Sequence, residues 1–444
     1  MKKYEKYKDS GINCIAEIPS HWGTRKFNNV SYMKGRIGWQ GLKQTEFTTN
    51  EDDPFLITGM NFKDGVIRWN EVYHISYDRF NEAPEIQLKE NDVLITKDGT
   101  IGKLLFIDTI PYPHKASLNS HLLVLRPLNN HYYQRYLYYQ LQSECFTHHV
   151  ELTKTGTTFF GITQEAMGEY KMILPPLTEQ TAIATYLDRK TAEIDQLIDA
   201  KKRLIELYHE EKTAIINQAV TKGINPNAKM KDSGIEWLGE VPEHWEVSRM
   251  ANFGKYSKGK GISKADITIE GVPVVLYGDI YTKYDISAMH FERTTSLEVA
   301  KKSVIICKGD LLFTASGETE EDIGKCIVYL GDEKAYAGGD VIIYKQLGND
   351  SQFLSYLFNT YSVREQKAKL SKGEIVVHIY SSQLRDIKFP LPPLEEQQSI
   401  VHHIETECSR IDTKIERTQR LIELLAEYRT ALISEVVTGK VKVV

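Results

Sequence analysis

The order of short motifs repeats along the chain, and this repeat limits the possible folds more than any other feature. Lys8–Ile12 returns as Lys231–Ile235, and Glu17–Trp22 returns as Glu240–Trp245 at the same spacing. A Leu-Pro-Pro-Leu segment beginning at Leu174 also occurs twice. Because separate motifs recur in the same order, the 444 residues predict two copies of one structural unit.

The middle of each copy, residues 28–160 and 251–375, differs far more than the ends do. Both middles contain short apolar, β-branched runs bounded by Gly, Asp, Asn or Pro, which is the pattern of strands. One faint similarity places Asn91–Thr96 beside Gly309–Thr314. This pattern therefore predicts that each middle folds as an α+β domain. We favour two modules with different targets, because neutral drift, the alternative, would blur the helices as well.

Each Pro-Pro pair marks the start of a long helix. The residue before a proline avoids helical conformation, so the helices are expected to begin after Pro176 and Pro393. Apolar residues then recur every seven positions, the spacing of a coiled coil. The predicted packing residues are Leu187, Ile194, Leu197, Leu204, Tyr208, Ile215, Ile404, Ile411, Leu421, Leu425 and Leu432. Two helices related by a pseudo-two-fold axis would lie antiparallel and bury these side chains.

Composition excludes several classes of protein. Lys and Arg number 55 against 60 Asp and Glu, so the chain cannot coat DNA by bulk positive charge, although a local basic surface remains possible. No segment is apolar enough to predict a membrane span. The five cysteines are odd in number and far apart, so we expect free thiols in a reducing cytoplasm.

The repeated motifs and the long helices that follow them resemble the specificity subunit of type I restriction-modification enzymes. The resemblance runs from Lys8 to Thr438, although Asn13–Ala16 lacks the Trp237–Gly239 of the second copy. It implies an α+β fold in which two target recognition domains are joined by two long antiparallel, coiled-coil-like helices. The implied segments are domain 1 at 1–176, helix 1 at 177–222, domain 2 at 223–393 and helix 2 at 394–444.

The resemblance also implies partners and the location of the chemistry. Such a subunit binds a split DNA sequence and is not catalytic. It docks two modification subunits, which are adenine methyltransferases using S-adenosylmethionine, and restriction subunits that use ATP and magnesium. This chain itself is expected to bind no cofactor.

The sequence lacks the motifs of those partner activities. Neither Pro-Pro pair follows Asn or Asp, as an amino-methyltransferase motif requires, and no GxxxxGK[ST] is present. The adjacent pairs His148–His149 and His402–His403 do not share a helix face, so we expect no metal site. His21 and His244, beside the repeated tryptophans, are expected to pack or to form hydrogen bonds.

Three polar, glycine-containing turns in each middle are the candidate DNA contacts, because duplex readers use Lys and Arg for phosphates and polar side chains for base edges. The candidates are Lys34, Arg36, Trp39, Gln40, Lys43, Lys97, Thr100, Lys154 and Thr157 in the first copy, and Lys258, Lys260, Ser263, Lys264, Ser316, Lys369 and Lys372 in the second. Ordinary solvated turns are the alternative for any one of them.

Three functional hypotheses follow. The first is a DNA-specificity subunit acting in the cytoplasm. The second is a fused or stand-alone restriction endonuclease, which the sequence does not exclude because nuclease signatures are loose. The third is a helical scaffold that binds only protein.

Overall fold

The computed structural model describes residues 2–36, 41–62, 65–156, 160–236, 238–373 and 376–443. The chain divides into two compact units, residues 1–202 with 419–444, and residues 203–418. Each unit contains mixed helices and strands together with part of both long helices, which confirms the predicted α+β fold. The predicted segments follow the chain in order, whereas the units interleave, because each unit takes one end of each long helix.

The first unit is built on short strands and five short helices among the residues described. Its strands are Tyr7–Ile12, Ile15–Pro19, Gly23–Lys26, Ser31–Lys34, Phe55–Ile57, Tyr73–His74, Val93–Thr96, Leu104–Phe106, Ala116–Leu118, Leu122–Pro127 and Lys171–Leu174. Its short helices are Phe27–Val30, Tyr77–Asn81, Gln134–Gln140, Glu144–Thr153 and Gln164–Gly168.

The second unit is also built on short strands and short helices. Its strands are Met230–Asp232, Glu240–Pro242, Glu246–Arg249, Gly254–Lys258, Ile267–Thr268, Val272–Val275, Ser287–Ala288, Arg293–Thr295, Ile305–Ile306, Leu311–Thr314, Ser316–Gly317, Cys326–Tyr329, Ala335–Ala337, Val341–Gln346, Val377–His378 and Lys388–Leu391. Its short helices are Tyr277–Thr282, Leu297–Ala300, Ser351–Phe358, Tyr361–Leu370 and Ser381–Leu384.

A central antiparallel sheet has the same strand order in both units. In the first unit the order is Ser31–Lys34, Leu122–Pro127, Val93–Thr96 and Leu104–Phe106. The second unit repeats this order with Gly254–Lys258, Val341–Gln346, Leu311–Thr314 and Cys326–Tyr329, and adds Ser287–Ala288 at the edge, where it pairs in parallel with Cys326–Tyr329. Almost every residue of these inner strands is buried, which explains why the strands read as continuous apolar runs.

The long helices span Leu177–Lys222 and Leu394–Val437 and contain 46 and 44 residues. They lie antiparallel within each unit. In the first unit Arg429 Nε lies 3.1 Å from Asp195 Oδ1, and in the second Lys212 Nζ lies 2.9 Å from Asp412 Oδ1. These partly exposed ion pairs contribute little to stability, so apolar burial must hold the helices.

The predicted packing residues are not buried equally. Leu187, Ile194, Ile404, Ile411 and Leu432 are buried, whereas Leu204, Tyr208, Ile215 and Leu425 are half-buried. Leu197 and Leu421 are 44% and 47% exposed, so the structure does not pack these two as predicted. The reason is that a straight α-helix drifts by about 20° per heptad from a seven-residue repeat. Ile198, one position on, packs against the core instead.

The repeated His-Trp and Glu-Gln motifs hold each domain to the start of a long helix. Glu179 accepts hydrogen bonds from Trp22 Nε1 (3.1 Å) and Tyr4 (3.2 Å), and its other oxygen lies 2.7 Å from His21 Nε2. In the second unit Glu396 lies 2.7 Å from His244 Nε2. The two motif histidines therefore form hydrogen bonds, as the sequence predicted.

Each long helix ends at a glycine that packs near a motif tryptophan. Gly223 and Gly439 have φ of +75° and +77°, a conformation that L side chains rarely adopt. A Cβ at Gly223 would lie 3.2 Å from Trp245, and one at Gly439 would lie 2.4 Å from Pro19. The repeat therefore preserves the residues that join a helix end to the strand and the tryptophan beside it.

Cys14 and Cys145 form a disulfide with Cα atoms 5.7 Å apart, so the prediction of five free thiols is wrong for these two. Folding brings the turn after Tyr7–Ile12 to the first turn of Glu144–Thr153, a proximity that a separation of 131 residues conceals. Cys307, Cys326 and Cys408 are free. No helix in the described part of the chain is long and apolar enough to cross a membrane.

Candidate nucleic-acid interface

Two of the predicted turns in the first unit are joined by main-chain hydrogen bonds. Ile162 N donates to Lys97 O (2.8 Å), and Gly99 N donates to Phe160 O (3.2 Å). Thr155 and Gly161 exchange a pair of 2.9 Å bonds. Residues 97–100, 154–156 and 160–162 thus form one surface, which we call the first platform.

The second unit joins its corresponding turns in the same way. Ile379 N donates to Ala315 O (2.9 Å), and Lys372 and His378 exchange bonds of 3.0 and 2.8 Å. Ser316 pairs with His378 as Asp98 pairs with Gly161. Residues 315–318, 371–373 and 376–379 form the second platform. The two modules thus share a main-chain arrangement although their side chains differ.

A cavity of about 480 Å³ adjoins the first platform, and it also brings in the third predicted turn. Gly35 and Arg36 from that turn line it together with Lys97, Asp98 and Thr155. Gly35 fits because a Cβ there would lie 2.7 Å from Leu122 O. The structure therefore brings the beginning of the third turn, Gly35 and Arg36, to the other two turns of the first unit.

The candidate residues of the first unit differ in accessibility. Lys34, Lys43 and Thr100 are exposed, and Lys97 and Lys154 are half-buried. Lys154 pairs with Glu151, and its ammonium lies 5.3 Å from the centre of the Phe160 ring. The candidates Trp39, Gln40 and Thr157 lie outside the described residues.

Arg36 is only 4% exposed, and its placement does not favour direct contact with DNA. Its guanidinium donates to Leu118 O (3.2 Å) and to the Ser117 hydroxyl (3.3 Å). Burial lowers the pKa of Arg36 from its ordinary value. The side chain therefore holds the turn against the three-stranded sheet formed by Tyr73–His74, Phe55–Ile57 and Ala116–Leu118.

In the second unit most candidates are exposed, namely Lys258, Lys260, Ser263, Lys264, Lys369 and Lys372. Lys258 lies 3.3 Å from Asp340, and the Ser263 hydroxyl donates to Asp266 (2.7 Å) at the start of a helical turn. Ser316 is 3% exposed and lies 3.0 Å from His378 Nδ1. Ser263 and Ser316 thus have structural partners within the chain.

Two cavities of about 670 and 630 Å³ flank the short helix Tyr277–Thr282 in the second unit. Lys264 and Tyr277 line both of them, and Ser316 and Arg364 line the one beside the second platform. Tyr281 also lines the cavity beside the second platform, and its hydroxyl accepts a hydrogen bond from Thr314 (2.7 Å) and donates one to Ser316 O (3.2 Å). Burial raises the pKa of Tyr281 to about 12, so the hydroxyl keeps the proton that it donates.

Sequence reasoning missed the residues that the platforms bring beside the predicted turns. His121 and His378 carry polar atoms there, and Tyr277 and Arg364 line the adjoining cavities. His378 and Gly161 precede Ile379 and Ile162, which stand at matching places in the repeat. That match was the available signal, but it becomes meaningful only once the two turns are known to pair.

The described residues include no group of three or more His, Cys, Asp or Glu side chains placed to hold a metal ion. What the platforms offer is lysine side chains, of which Lys97 and Lys154 are half-buried and Lys372 is exposed, together with imidazole and hydroxyl groups beside concave surfaces. Such groups suit contacts to phosphates and to base edges.

Similarity to known proteins points to one family. The family model described as the type I restriction modification DNA specificity domain matches residues 19–207 and 242–425. The MjaVIII specificity subunit of a type I restriction enzyme from Methanocaldococcus jannaschii is 27% identical over 81% of both chains. The putative MjaX specificity subunit from the same organism is 25% identical over 97% of this chain and 96% of its own.

Two solved structures share the fold. The HsdS subunit from Thermoanaerobacter tengcongensis has a TM-score of 0.57 at 14% identity, covering 96% of this chain and 98% of its own. A chain from a study of complex assembly and conformational transition of the type I R-M system has a TM-score of 0.62 at 15% identity, covering 96% and 99%. With two matched domains that together cover most of its length, the chain belongs to the type I restriction modification DNA specificity family.

Proposed function

We propose that this chain, as the specificity subunit of a type I restriction-modification system, reads a bipartite DNA sequence with one half-site for each unit. The observation that carries the proposal is the pair of platforms. The same main-chain hydrogen bonds recur in both units, whereas the paired residues differ, Asp98 with Gly161 in one and Ser316 with His378 in the other. A shared scaffold with different side chains is what two readers of different sequences require.

The chemistry belongs to the partners in this proposal. Two methyltransferase subunits would carry S-adenosylmethionine, and restriction subunits would use ATP and magnesium. The specificity chain would hold the duplex while a methyltransferase flips an adenine out of each half-site. Because the substrate is the DNA of the cell, we expect the assembly to act in the cytoplasm.

Methylation mapping tests the proposal directly. The chain is co-expressed with its methyltransferase in a host that lacks adenine methylation, and modified adenines are mapped across the genome. We expect one motif made of two short specific sequences separated by a fixed nonspecific gap. A contiguous motif would contradict the proposal.

Exchange of one module provides a stricter test. Replacing residues 28–160 by the corresponding segment of another specificity subunit should change one half-site and preserve the other. Inserting a few residues between Val220 and Asn227 should change the length of the gap and preserve both half-sites. A change in both half-sites after the first exchange would mean that the units do not read independently.

The two other hypotheses predict different results. A restriction endonuclease should cleave DNA as an isolated chain with magnesium. A protein-only scaffold should leave the assembled complex without DNA binding that weakens as salt increases, which is the mark of phosphate contacts.

A further inference from the structure

Each platform holds one imidazole by its Nδ1 atom, and the partner oxygen comes from matching places in the two units. In the first unit Asp98 Oδ2 lies 3.2 Å from His121 Nδ1. In the second unit the Ser316 hydroxyl lies 3.0 Å from His378 Nδ1. Asp98 and Ser316 correspond because each pairs through its main chain with the residue preceding Ile162 or Ile379.

The two histidines reach this common place from different strands. His121 lies at the start of the Leu122–Pro127 strand, where its carbonyl accepts from Lys97 N (3.0 Å). His378 belongs to the strand Val377–His378, across from Ser316. Two unrelated positions thus supply the same group to the same part of the scaffold, a convergence that simple inheritance from the duplicated ancestor does not explain.

The contact at Nδ1 fixes each ring and leaves Nε2 available. The His121 side chain is 59% exposed and His378 is half-buried. Within the described part of the chain, neither Nε2 has a hydrogen-bond partner. An imidazole oriented through one nitrogen presents the other as a directional donor or acceptor.

The two oxygens also differ in what they allow. The Asp98 carboxylate only accepts, so Nδ1 of His121 carries a hydrogen and a neutral ring offers Nε2 as an acceptor. The Ser316 hydroxyl is able to donate to Nδ1 of His378, and Nε2 then carries a hydrogen and donates. An acceptor suits the amino group of adenine or cytosine, whereas a donor suits the acceptors of guanine or thymine in the major groove.

We propose that His121 and His378 are specificity-determining residues, each of which reads one base of its own half-site through Nε2. Asp98 and Ser316 are the positioning residues that set the orientation of the rings. This inference rests on the proposed function, and it names the side chains through which two modules with one scaffold distinguish different bases.

The test is the methylation motif of single variants co-expressed with the methyltransferase. His121→Gln should relax or change one position of one half-site, and His378→Gln one position of the other. Asp98→Asn should alter the same position as His121→Gln, because an amide no longer forces a hydrogen onto Nδ1. Matched controls are His148→Gln and His290→Gln, which change exposed histidines outside the platforms and should leave the motif unchanged.

A binding assay on the assembled complex gives the magnitude. Wild-type complex should discriminate against a duplex with that base replaced by between about 5- and 150-fold, and the matching histidine variant should lose this discrimination. An unchanged motif in both histidine variants, or a uniform fall in methylation without a change of motif, would overturn the inference. If the wild type itself gives no gapped motif, the proposed function fails instead, so the two failures are distinguishable.

Discussion

Lys367 is a buried lysine in the second unit, and replacing it should change how stability depends on pH. The residue is 0% exposed in the helix Tyr361–Leu370. Its ammonium donates to Gly324 O (2.6 Å) and Phe358 O (2.9 Å). Gly324 ends the turn that leads from the second platform into Cys326–Tyr329, so this lysine supports the turn from within the core.

Burial lowers the pKa of Lys367 from 10.5 to about 7. The unfolded chain therefore keeps the lysine proton over a range of pH in which the folded chain has released it. Stability must rise with pH between about 7 and 10.5, since the unfolded state binds more protons there. Integrated from pH 7 to pH 9, a shift of this size contributes roughly 2 kcal/mol.

We expect Lys367→Met to remove this dependence. At a single pH the sign of the effect is a poor test, because the variant relieves the burial of a charge but leaves two carbonyl oxygens unpaired, at about 1–3 kcal/mol each. Comparing how the unfolding free energy of each protein changes with pH avoids that cancellation. Between pH 7 and pH 9 the unfolding free energy of the wild type should rise by roughly 2 kcal/mol relative to the variant.

The measurement is hydrogen exchange of peptides covering residues 311–329 in the full chain, converted to opening free energies at pH 7, 8 and 9 after correction for intrinsic rates. Lys369→Met, two positions along the same helix, is the matched control because Lys369 is exposed and loses the same charge. Its values should run parallel to the wild type. Parallel values for Lys367→Met as well would show that the buried ammonium is not desolvated, and the reasoning would be refuted.

Three further tests, made with five substitutions, examine the packing of the first unit and of the helix ends, each by chemical denaturation of the full chain. Leu432→Asp places an unpaired charge at a side chain that is 1% exposed and should lower the free energy of unfolding by about 3–5 kcal/mol. Leu421→Asp, at an exposed site of the same helix, should lower it by less than about 1 kcal/mol. Equal losses of stability would contradict the assigned burial. Both Gly439→Ala and Gly223→Ala should destabilise the chain by about 1–2 kcal/mol, because alanine is strained at positive φ. Gly439→Ala should destabilise it more, because only there does the new Cβ lie 2.4 Å from a proline carbon. The reverse order would refute this contact. Glu179→Ala should cost about 2–3 kcal/mol through the loss of its tyrosine and tryptophan donors and its histidine partner, and a neutral result would mean that the repeated motif does not fasten the helix.

The parts of the fold that the sequence predicts are those in which repetition and local chemistry agree. The Pro-Pro pairs place both long helices, which begin at Leu177 and Leu394. The repeated histidine and glutamate have a shared explanation in the contacts of His21 with Glu179 and of His244 with Glu396. When two residues must stay in contact, both are kept, so a duplicated chain contains the histidine and the glutamate in each of its copies.

The parts that the sequence does not predict depend on pairings between distant segments. The sequence predicts a DNA contact at Arg36 because it is a cation in a glycine-rich turn. The structure instead buries its side chain, which donates a hydrogen bond to Leu118 O and supports the turn. The disulfide between Cys14 and Cys145 is hidden for the same reason. The exposure of Leu197 arises instead from helix geometry, since a seven-residue repeat and a 3.6-residue turn do not stay in phase.

The platforms explain why the middles of the two copies diverge while their architecture does not. Their pairing is made by main-chain N–H and C=O groups, as between Thr155 and Gly161 or between Lys372 and His378. Such bonds depend little on which side chains are present, so Asp98 in one unit and Ser316 in the other occupy the same place. A recognition surface built in this way can exchange its side chains without losing its shape. If the platforms read bases as proposed, low sequence similarity is expected on their surfaces, and high similarity where helices and strands must fit.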